Sequence, residues 1–408
     1  MGGACGCAPR ACAGARCSNC ATAHTLAHTH TLPCPHYTLR RDSFFTAYLL
    51  GASSREAAYS TLIQAARSVK AAGGFVANFQ AGGAKSVDRT EPLVGAQVLA
   101  RVYAKYGEAW LVELLLDDLL DWLDWVWRAR RLEGVAGGAA VCLGSDAVPG
   151  FDLYSAGTMQ GARFESGLDN SPMYDGEFWS NATHHMQLAD VGASSLFVAE
   201  ADALAALAAA VNRSADAAPL AARAAAVRAF ISSQLWDEQQ GAFVNTFPNG
   251  THSRRVSPTS FYALAARAAT DAQAARMATE WALNASRFCL SPQWPAGVSD
   301  DCFWGLPSIS ADDAAFPALG YWRGYVWGPM AQLTYWAFSE YAHVPEVAAA
   351  RAALVRQMQA MFLEQWRRSR HVCENFSPWR NATACTGTTF YTWGALAGLL
   401  AIEDAGMY

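Results

Sequence analysis

The 408-residue sequence is poor in charge. Asp, Glu, Lys and Arg make up 16% of it, and the formal net charge is −5. Proteins that bind nucleic acid cluster Lys and Arg so that they can neutralise phosphates. This composition therefore predicts no nucleic-acid partner.

Several motifs that would assign a chemistry or a location are also missing. No run of about 18 apolar residues occurs, so we predict no transmembrane segment. A P-loop, a dinucleotide-binding Gly-x-Gly-x-x-Gly and a Gly-x-Ser-x-Gly elbow are absent, so neither a nucleotide site nor a serine hydrolase is indicated. His184 and His185 have no further ligands at metal spacing, and we predict no metal site. No apolar signal-peptide core follows Met1.

Apolar and aromatic residues are abundant instead. Hydrophobic residues make up 52% of the chain, which includes 15 Trp and 14 Tyr. Most of these rings are needed for a large core, but Trp and Tyr also form the platforms on which sugars stack. The length suits one helical-barrel domain.

Six of the ten asparagines begin an Asn-X-Ser/Thr sequon, where chance placement gives about one. They are Asn181, Asn212, Asn249, Asn284, Asn375 and Asn381. We interpret this enrichment as the mark of a glycosylating compartment, the secretory pathway and specifically the endoplasmic reticulum lumen. A cytoplasmic location is the alternative, since no signal peptide is visible.

Nine of the 11 cysteines fall into two groups. Five lie in the first 20 residues, in a small, polar stretch that is either a metal cluster or a disordered or misassigned lead. We predict residues 1–38 as this lead and 39–408 as one catalytic domain. The pairs Cys289/Cys302 and Cys373/Cys385 bracket short loops, and each is either a disulfide or two buried thiols.

From about Asp42 onward the pattern is helix, turn, helix, and it predicts about eleven helices. Ser53 and Glu56 have the spacing of a capping box for an early helix. Others are predicted near residues 44 and 92 and at 110–128, 186–211, 220–236, 257–268, 271–286, 323–341, 345–368 and 390–402.

Long loops rich in Gly, Pro and Trp interrupt the helices at 73–91, 144–180, 290–322 and 371–389. They follow alternate helices, as expected where one end of a helical barrel is built from loops. No β-α-β alternation occurs, so we predict an all-α barrel of paired helices. A helical solenoid is the structural alternative, although no fixed sequence period is found.

Two loop segments carry acidic groups among aromatic residues. Asp169 lies in the segment 165–175, beside Phe164 and Tyr174. A carboxyl group among rings is desolvated, which raises its pKa and suits a general acid. A helix-capping or turn-stabilising role is the alternative.

Glu374 lies in a second aromatic loop. Inverting glycoside hydrolysis needs a second carboxylate about 6.5–9.5 Å from the first, and only a closed fold could bring these two together.

Three more loops combine charge and aromaticity. They contain Arg41–Asp42, Asp88–Arg89 and the segment 321–329. Arg and Asp bind sugar hydroxyls through paired hydrogen bonds, and Trp packs on sugar faces. Alternatively, each charged pair is an ion pair that fixes its own loop.

Four motifs together resemble the catalytic domain of glycoside hydrolase family 63. Ser166-Gly-Leu-Asp-Asn-Ser-Pro172 is similar to the acid motif, and Cys373-Glu-Asn-Phe376 to the motif of the base. Tyr321-Trp-Arg-Gly324 with Trp327 resembles the loop that lines the substrate. Asp88-Arg-Thr-Glu-Pro92 resembles a loop that usually reads Gln-Pro-Pro at its end.

The resemblance implies an (α/α)6 barrel, inversion, no cofactor, Asp169 as acid and Glu374 as base. Eleven helices instead of twelve indicate that the first helix of the barrel is truncated, divergent or missing. Glu91 and Leu93 depart from the family pattern. The substrate-binding residues that we predict are Arg41, Asp42, Arg89, Glu91, Gly167, Tyr321, Trp322, Arg323, Trp327 and Trp393.

The expected activity is that of a monomeric α-glucosidase of the mannosyl-oligosaccharide glucosidase type, which releases terminal glucose from an oligosaccharide. A hydrolase of mannosylglycerate or another small α-glycoside is one alternative. A carbohydrate-binding protein without catalysis is another, although the presence of both carboxylates argues against it.

Overall fold

The computed structural model describes residues 37–81, 84–132, 135, 139–151, 153–176, 178–293, 302–379 and 385–408. Residues Thr38–Tyr408 form one compact unit. The predicted lead, 1–38, lies outside the described residues except for its last two positions.

Helices dominate the described chain. They are α1 (Arg40–Gly51), α2 (Arg55–Ala66), α3 (Ser68–Ala72), α4 (Gly95–Tyr106), α5 (Ala109–Ala129), α6 (Met159–Glu165), α7 (Val191–Ala210), α8 (Ser214–Phe230), α9 (Tyr262–Ala265), α10 (Asp271–Met277), α11 (Gly328–Glu340), α12 (Pro345–Ser369) and α13 (Thr392–Asp404). One-turn extensions precede α9 at Pro258–Phe261 and follow α8 and α10 at Ile231–Leu235 and Ala278–Ala282.

Six of these helices close a ring. Each contacts the next in the order α1, α4, α7, α9, α11 and α13, and α13 contacts α1. Helices α2, α5, α8 and α12 each follow an inner helix and pack against it, and α10 with its extension packs against α12. The predicted (α/α)6 barrel is therefore confirmed. Among the described residues, five outer helices accompany the six inner ones. The prediction about the first helix of the barrel concerns the chain before α1, nearly all of which lies outside the described residues.

The inner helices α7, α11 and α13 are apolar on nearly every side, as expected for helices surrounded by protein. Helix α7 is long and apolar enough to span a membrane by length and composition. However, 72% of that stretch is buried inside the protein, because it packs between α4, α5, α8 and α9. Burial as an inner barrel helix accounts for its composition.

Several helix ends differ from the sequence prediction for local reasons. Helix α7 begins at Val191 because the Asp190 side chain accepts a hydrogen bond from the Ala193 N–H at 2.7 Å. The cap of α2 is Ser54, not Ser53. Helix α11 begins at Gly328, because Val326 exchanges two backbone hydrogen bonds with Phe376 and is therefore extended.

Short strands occur in the loops, and the prediction of an all-helical chain missed them. They are β1 (Tyr37–Leu39), β2 (Phe79–Ala81), β3 (Ala84–Lys85), β4 (Arg131–Leu132), β5 (Ala140–Val141), β6 (Trp179–Ser180), β7 (His185–Met186), β8 (Trp236–Asp237), β9 (Ala242–Phe243), β10 (Cys373–Phe376) and β11 (Cys385–Thr389). Antiparallel pairs form between β2 and β3, β4 and β5, β6 and β7, β8 and β9, and β10 and β11. Each pair lies between an outer helix and the next inner one, so these hairpins share one end of the barrel.

Both later cysteine pairs are joined as disulfides, Cys289–Cys302 and Cys373–Cys385, with Cα atoms 5.5 and 5.6 Å apart. The sequence left open whether each pair is a disulfide or two buried thiols, and the structure shows a disulfide in both cases. Cys142 is a buried free thiol, and burial raises its pKa to about 12.

Candidate active site

A cleft of about 200 Å³ opens at the end of the barrel that carries the hairpins. The described residues that line it are Asp42, Asn78, Phe79, Arg89, Phe164, Gly167, Asp169, Tyr321, Trp322, Glu374, Tyr391 and Trp393. The fold thus brings the two predicted catalytic carboxylates, Asp169 and Glu374, to one cavity. It also places six of the ten predicted substrate-binding residues there.

Asp169 lies on a tight turn after α6. Gly167 adopts a left-handed conformation with φ 69°, which favours glycine. The Leu168 N–H donates to Ser166 Oγ at 3.0 Å, and Gln160 Nε2 donates to the Asp169 carbonyl at 2.9 Å. These bonds fix the backbone on both sides of the Asp169 side chain.

Asn170 ties this turn to the loop that precedes α11. Its Nδ2 donates to the Gly320 carbonyl and its Oδ1 accepts from the Trp322 N–H, both at 2.9 Å. Arg323 reinforces the junction by donating to both carboxylate oxygens of Asp175, at 2.8 and 3.2 Å. Loops that are distant in sequence therefore share one rigid wall.

A buried ion pair supports the turn from behind. Arg130 Nε lies 2.8 Å from Glu165 Oε2, and both side chains are at most 2% exposed. The Glu165 carboxylate also accepts from the Thr90 and Gly144 N–H groups. Burial raises the pKa of Glu165, while Arg130 and these donors oppose that effect. The pair connects the end of α5 to the last residue of α6.

Glu374 is held by one hydrogen bond at each carboxylate oxygen. The Tyr321 hydroxyl donates to Oε1 at 2.6 Å, and the Thr388 N–H donates to Oε2 at 3.2 Å. Glu374 lies on β10 and is 9% exposed. Tyr321 itself adopts a left-handed backbone conformation with φ 60°. The carboxylate is thus oriented from two separate loops.

The cleft is electrostatically negative. Burial raises the pKa of Tyr321, and the charges of Glu374, Asp169 and Asp42 raise it further. The Tyr391 hydroxyl donates to Asp42 Oδ2 at 2.5 Å, and burial together with Asp42 raises its pKa. Asp42, Asp169 and Glu374 therefore act on one small volume. Among the described lining residues Arg89 is the single cation, and Asp88 already lies 2.6 Å from it.

Tryptophans form the apolar side of the cleft. Trp322 stacks on Trp327 with ring centroids 3.6 Å apart and an interplanar angle of 7°. Trp393 packs edge-on against both rings. Trp322 and Trp393 reach the cleft, and Trp327 supports them from behind.

Three predicted substrate contacts lie behind the cleft wall. Glu91 is fully buried and lines a separate cavity of about 50 Å³, together with Arg130 and Glu165. The Arg323 guanidinium is hydrogen-bonded to the Asp175 carboxylate, and the Trp327 ring is covered by the stacked ring of Trp322. The side chain of Arg41 lies outside the part of the chain that the structure describes.

Four lining residues were not predicted as contacts: Asn78, Phe79, Phe164 and Tyr391. Phe164 and Tyr391 belong to the two aromatic acidic segments, so proximity to Asp169 and Glu374 was the available signal. Asn78 and Phe79 lie in the first long loop, and nothing in the sequence singles them out there.

One group of side chains in the described chain has metal-ligand chemistry at short range, namely His371, Cys373 and Cys385. The two sulfur atoms are joined in a disulfide and are therefore not thiolate ligands.

Comparison with solved structures identifies the fold. The GH63 mannosylglycerate hydrolase from Thermus thermophilus, in complex with glucose, matches with a TM-score of 0.66 and 18% identity over 91% of this chain and 95% of its own. Neutral trehalase from Saccharomyces cerevisiae matches with a TM-score of 0.66 and 15% identity, over 91% and 72%. The GH78 rhamnosidase of Bacillus sp. GL1 matches with a TM-score of 0.56 and 12% identity, over 91% and 32%. These matches show a shared fold, the (α/α)6 barrel.

The family follows from the sequence. The model of the mannosylglycerate hydrolase MGH1-like glycoside hydrolase domain matches residues 35–394, so the chain belongs to that family. The resemblance to the glycoside hydrolase family 63 catalytic domain is thereby confirmed. No curated protein matches the sequence.

Proposed function

We propose that this protein is an inverting α-glycosidase in which Asp169 is the general acid and Glu374 the general base. The observation that supports this most strongly is the presence of both carboxylates in one cleft, with Glu374 held at both oxygens. Inverting hydrolysis requires two carboxyl groups that face the same glycosidic bond from opposite sides.

In the proposed reaction Asp169 gives its proton to the glycosidic oxygen as the bond to the anomeric carbon breaks. Glu374 takes a proton from a water molecule whose oxygen attacks that carbon from the other face. The transition state resembles an oxocarbenium ion and is positive. Asp42 transfers no proton in this reaction, and its negative charge in the cleft favours that positive charge electrostatically.

A small α-glycoside is the substrate class that we propose first, and mannosylglycerate is its first representative. The matched family is described as mannosylglycerate hydrolase MGH1-like, and the matched Thermus structure bears the same activity in its name. The volume of the cleft, about 200 Å³, is on the scale of one sugar residue and suits such a ligand.

Terminal α-linked glucose on an oligosaccharide is the second candidate, as for a mannosyl-oligosaccharide glucosidase. Two observations favour it. Asn181, Asn212 and Asn249 begin sequons and are exposed, and the described residues include two disulfides. Both features suit a protein of the secretory pathway.

A substrate panel separates these candidates. The protein is incubated with mannosylglycerate, glucosylglycerate, trehalose and glucosylated N-glycans, and free sugar is measured. We expect turnover of one class that is abolished in Asp169→Asn and in Glu374→Gln, both of which keep the helical circular dichroism of the wild type. Glu346→Gln, at an exposed glutamate, is the control and keeps full activity. Sugar binding without product in the wild type would instead indicate a non-catalytic binding protein.

A further inference from the structure

The β10–β11 hairpin lies directly against the proposed base. Strand β10 carries Glu374 and is buried along its length, whereas Gly387, Thr388 and Thr389 of β11 are exposed. In the described chain β11 pairs with β10 alone. On its other side β10 pairs with Val326, so β10 is fixed and β11 is its exposed edge partner.

An irregularity in the pairing brings β11 onto the carboxylate. Cys373 pairs with Thr389 and Asn375 with Thr386, so Glu374 alone faces two residues, Gly387 and Thr388. This is a β-bulge, and Gly387 has the left-handed conformation, φ 72°, that glycine takes in one bulge type. The bulge turns the Thr388 N–H toward Glu374 Oε2.

The space at Gly387 is as restricted as its backbone. A Cβ atom placed there would lie 2.8 Å from Glu374 Oε2 and 2.8 Å from Asn375 Nδ2. Any side chain at this position would displace either the carboxylate or β11. The bulge therefore fits the base only when residue 387 is glycine.

The second disulfide closes this hairpin. Cys373 immediately precedes Glu374, and its sulfur is joined to Cys385, the first residue of β11. An exposed edge strand with one pairing partner opens readily. A covalent link beside the bulge restricts that opening and keeps the Thr388 N–H near Glu374.

We propose that the β10–β11 hairpin is a positioning device for Glu374, in which the Cys373–Cys385 disulfide and Gly387 hold the Thr388 N–H on the carboxylate. Cys373, Cys385 and Gly387 are thus positioning residues for the base. This inference rests on the proposed function, since it assigns to Glu374 the task of activating water.

The matched control is the first of the two disulfides in the described residues. Cys289–Cys302 spans 13 positions and Cys373–Cys385 spans 12, so their removal relaxes loops of nearly equal length. Neither Cys289 nor Cys302 belongs to the described lining of the cleft. Two double variants, C373S/C385S and C289S/C302S, are compared with the wild type in kcat, KM and the pH dependence of kcat.

For C373S/C385S we expect kcat to fall about tenfold and the acid limb of its pH profile to move up by roughly one unit, because a hydrogen bond to the ionised base is weakened. KM stays near the wild-type value. C289S/C302S loses stability but keeps the wild-type pH profile. Equal pH profiles for the two double variants would overturn the proposal.

Gly387→Ala tests the positioning of Glu374 by the hairpin with the disulfide intact. It provides the test if C373S/C385S does not fold. We expect the same fall in kcat and the same shift of the acid limb. Gly107→Ala is its control, since Gly107 has φ 69° and open space around it, so it carries the backbone penalty alone. Wild-type kcat and an unmoved acid limb in Gly387→Ala would contradict the proposal.

Hydrogen exchange provides a readout that does not need catalysis. We expect peptides that cover β11 to lose protection in C373S/C385S and to keep it in C289S/C302S. Unchanged protection in C373S/C385S would contradict the role of the disulfide. Absence of turnover in the wild type on every glycoside would contradict the proposed function alone.

Discussion

The Tyr321 hydroxyl donates a hydrogen bond of 2.6 Å to Glu374 Oε1, across 53 positions of sequence. Tyr321 belongs to the loop before α11 and Glu374 to β10, and the two segments are joined by the backbone pairing of Val326 with Phe376. The contact therefore depends on the packing of α11 against α12, which returns the chain to the same end of the barrel. It stabilises the ionised form of Glu374, which is the form that accepts a proton from water.

Removal of this hydroxyl should weaken the base without removing it. We expect Tyr321→Phe to lower kcat by roughly 10- to 100-fold, because a hydrogen bond to a charged group contributes about 1.5–3 kcal/mol. Tyr325→Phe, in the same loop, is the control and should keep wild-type kcat. Steady-state kinetics of both variants makes the comparison, and equal kcat values would argue against the contact.

Arg130 should be among the largest contributors to stability in the site region. Arg130→Met leaves the buried Glu165 carboxylate without its cation, which costs about 3–5 kcal/mol in the free energy of unfolding. Arg128→Met, two residues away, removes an exposed i,i+4 pair with Asp124 and should cost less than about 1 kcal/mol. Urea denaturation measures the free energy of unfolding of both variants. Similar losses would show that the buried pair contributes no more stability than the exposed pair.

Glu200 should make stability depend on pH. It is buried on α7 and accepts hydrogen bonds from the Ala96 and Gln97 N–H groups, and burial raises its pKa from 4.5 to about 7. Between these values the unfolded carboxyl has lost its proton while the folded one keeps it. The free energy of unfolding therefore falls as pH rises from 4.5 to about 7, by up to roughly 3 kcal/mol.

Glu200→Gln removes this titration. As pH rises from 4.5 to about 7, the free energy of unfolding of the wild type should therefore fall by roughly 3 kcal/mol relative to that of the variant. The other buried carboxyl groups titrate in both proteins, so their contributions cancel in this difference. A difference that stays constant from pH 4.5 to about 7 would show that Glu200 does not titrate in this range.

The sequons give a prediction about location. We propose that the protein enters a glycosylating compartment, where Asn181, Asn212 and Asn249 carry glycans because their side chains are exposed. Asn375 should remain unmodified, since it is fully buried and its Oδ1 accepts from Thr386 Oγ1. Mass spectrometry before and after peptide N-glycosidase treatment, on protein from a secreting host, identifies the sites. Unmodified asparagine at all three exposed sequons would argue for the cytoplasm.

Periodicity predicted the helical part of the fold well. Helix α12 begins at the predicted Pro345, and α5 matches its prediction within one residue at each end. Boundaries failed where side chains or distant strands decide them, as at Asp190 and Val326. The hairpins were missed because strands of two to five residues leave no reliable alternation of apolar and polar positions.

The residues of the candidate site that belong to short sequence motifs could be predicted. Asp169 and Glu374 stood out because acidic residues, glycine and aromatic residues occur together around them. Motif membership did not show which way a side chain faces. Glu91 lies in a recognised motif but lines the separate cavity, whereas Asn78 lies in none and reaches the cleft. Such orientation depends on tertiary packing.

The anomer that is released first shows directly whether Asp169 and Glu374 hydrolyse an α-glycoside with inversion. Proton NMR follows the hydrolysis of an α-linked substrate, such as mannosylglycerate or a terminal α-glucoside, on a timescale faster than mutarotation. We expect the β-anomer as the initial product, because Glu374 directs water to the face opposite the leaving group that Asp169 protonates. Initial release of the α-anomer would contradict inversion.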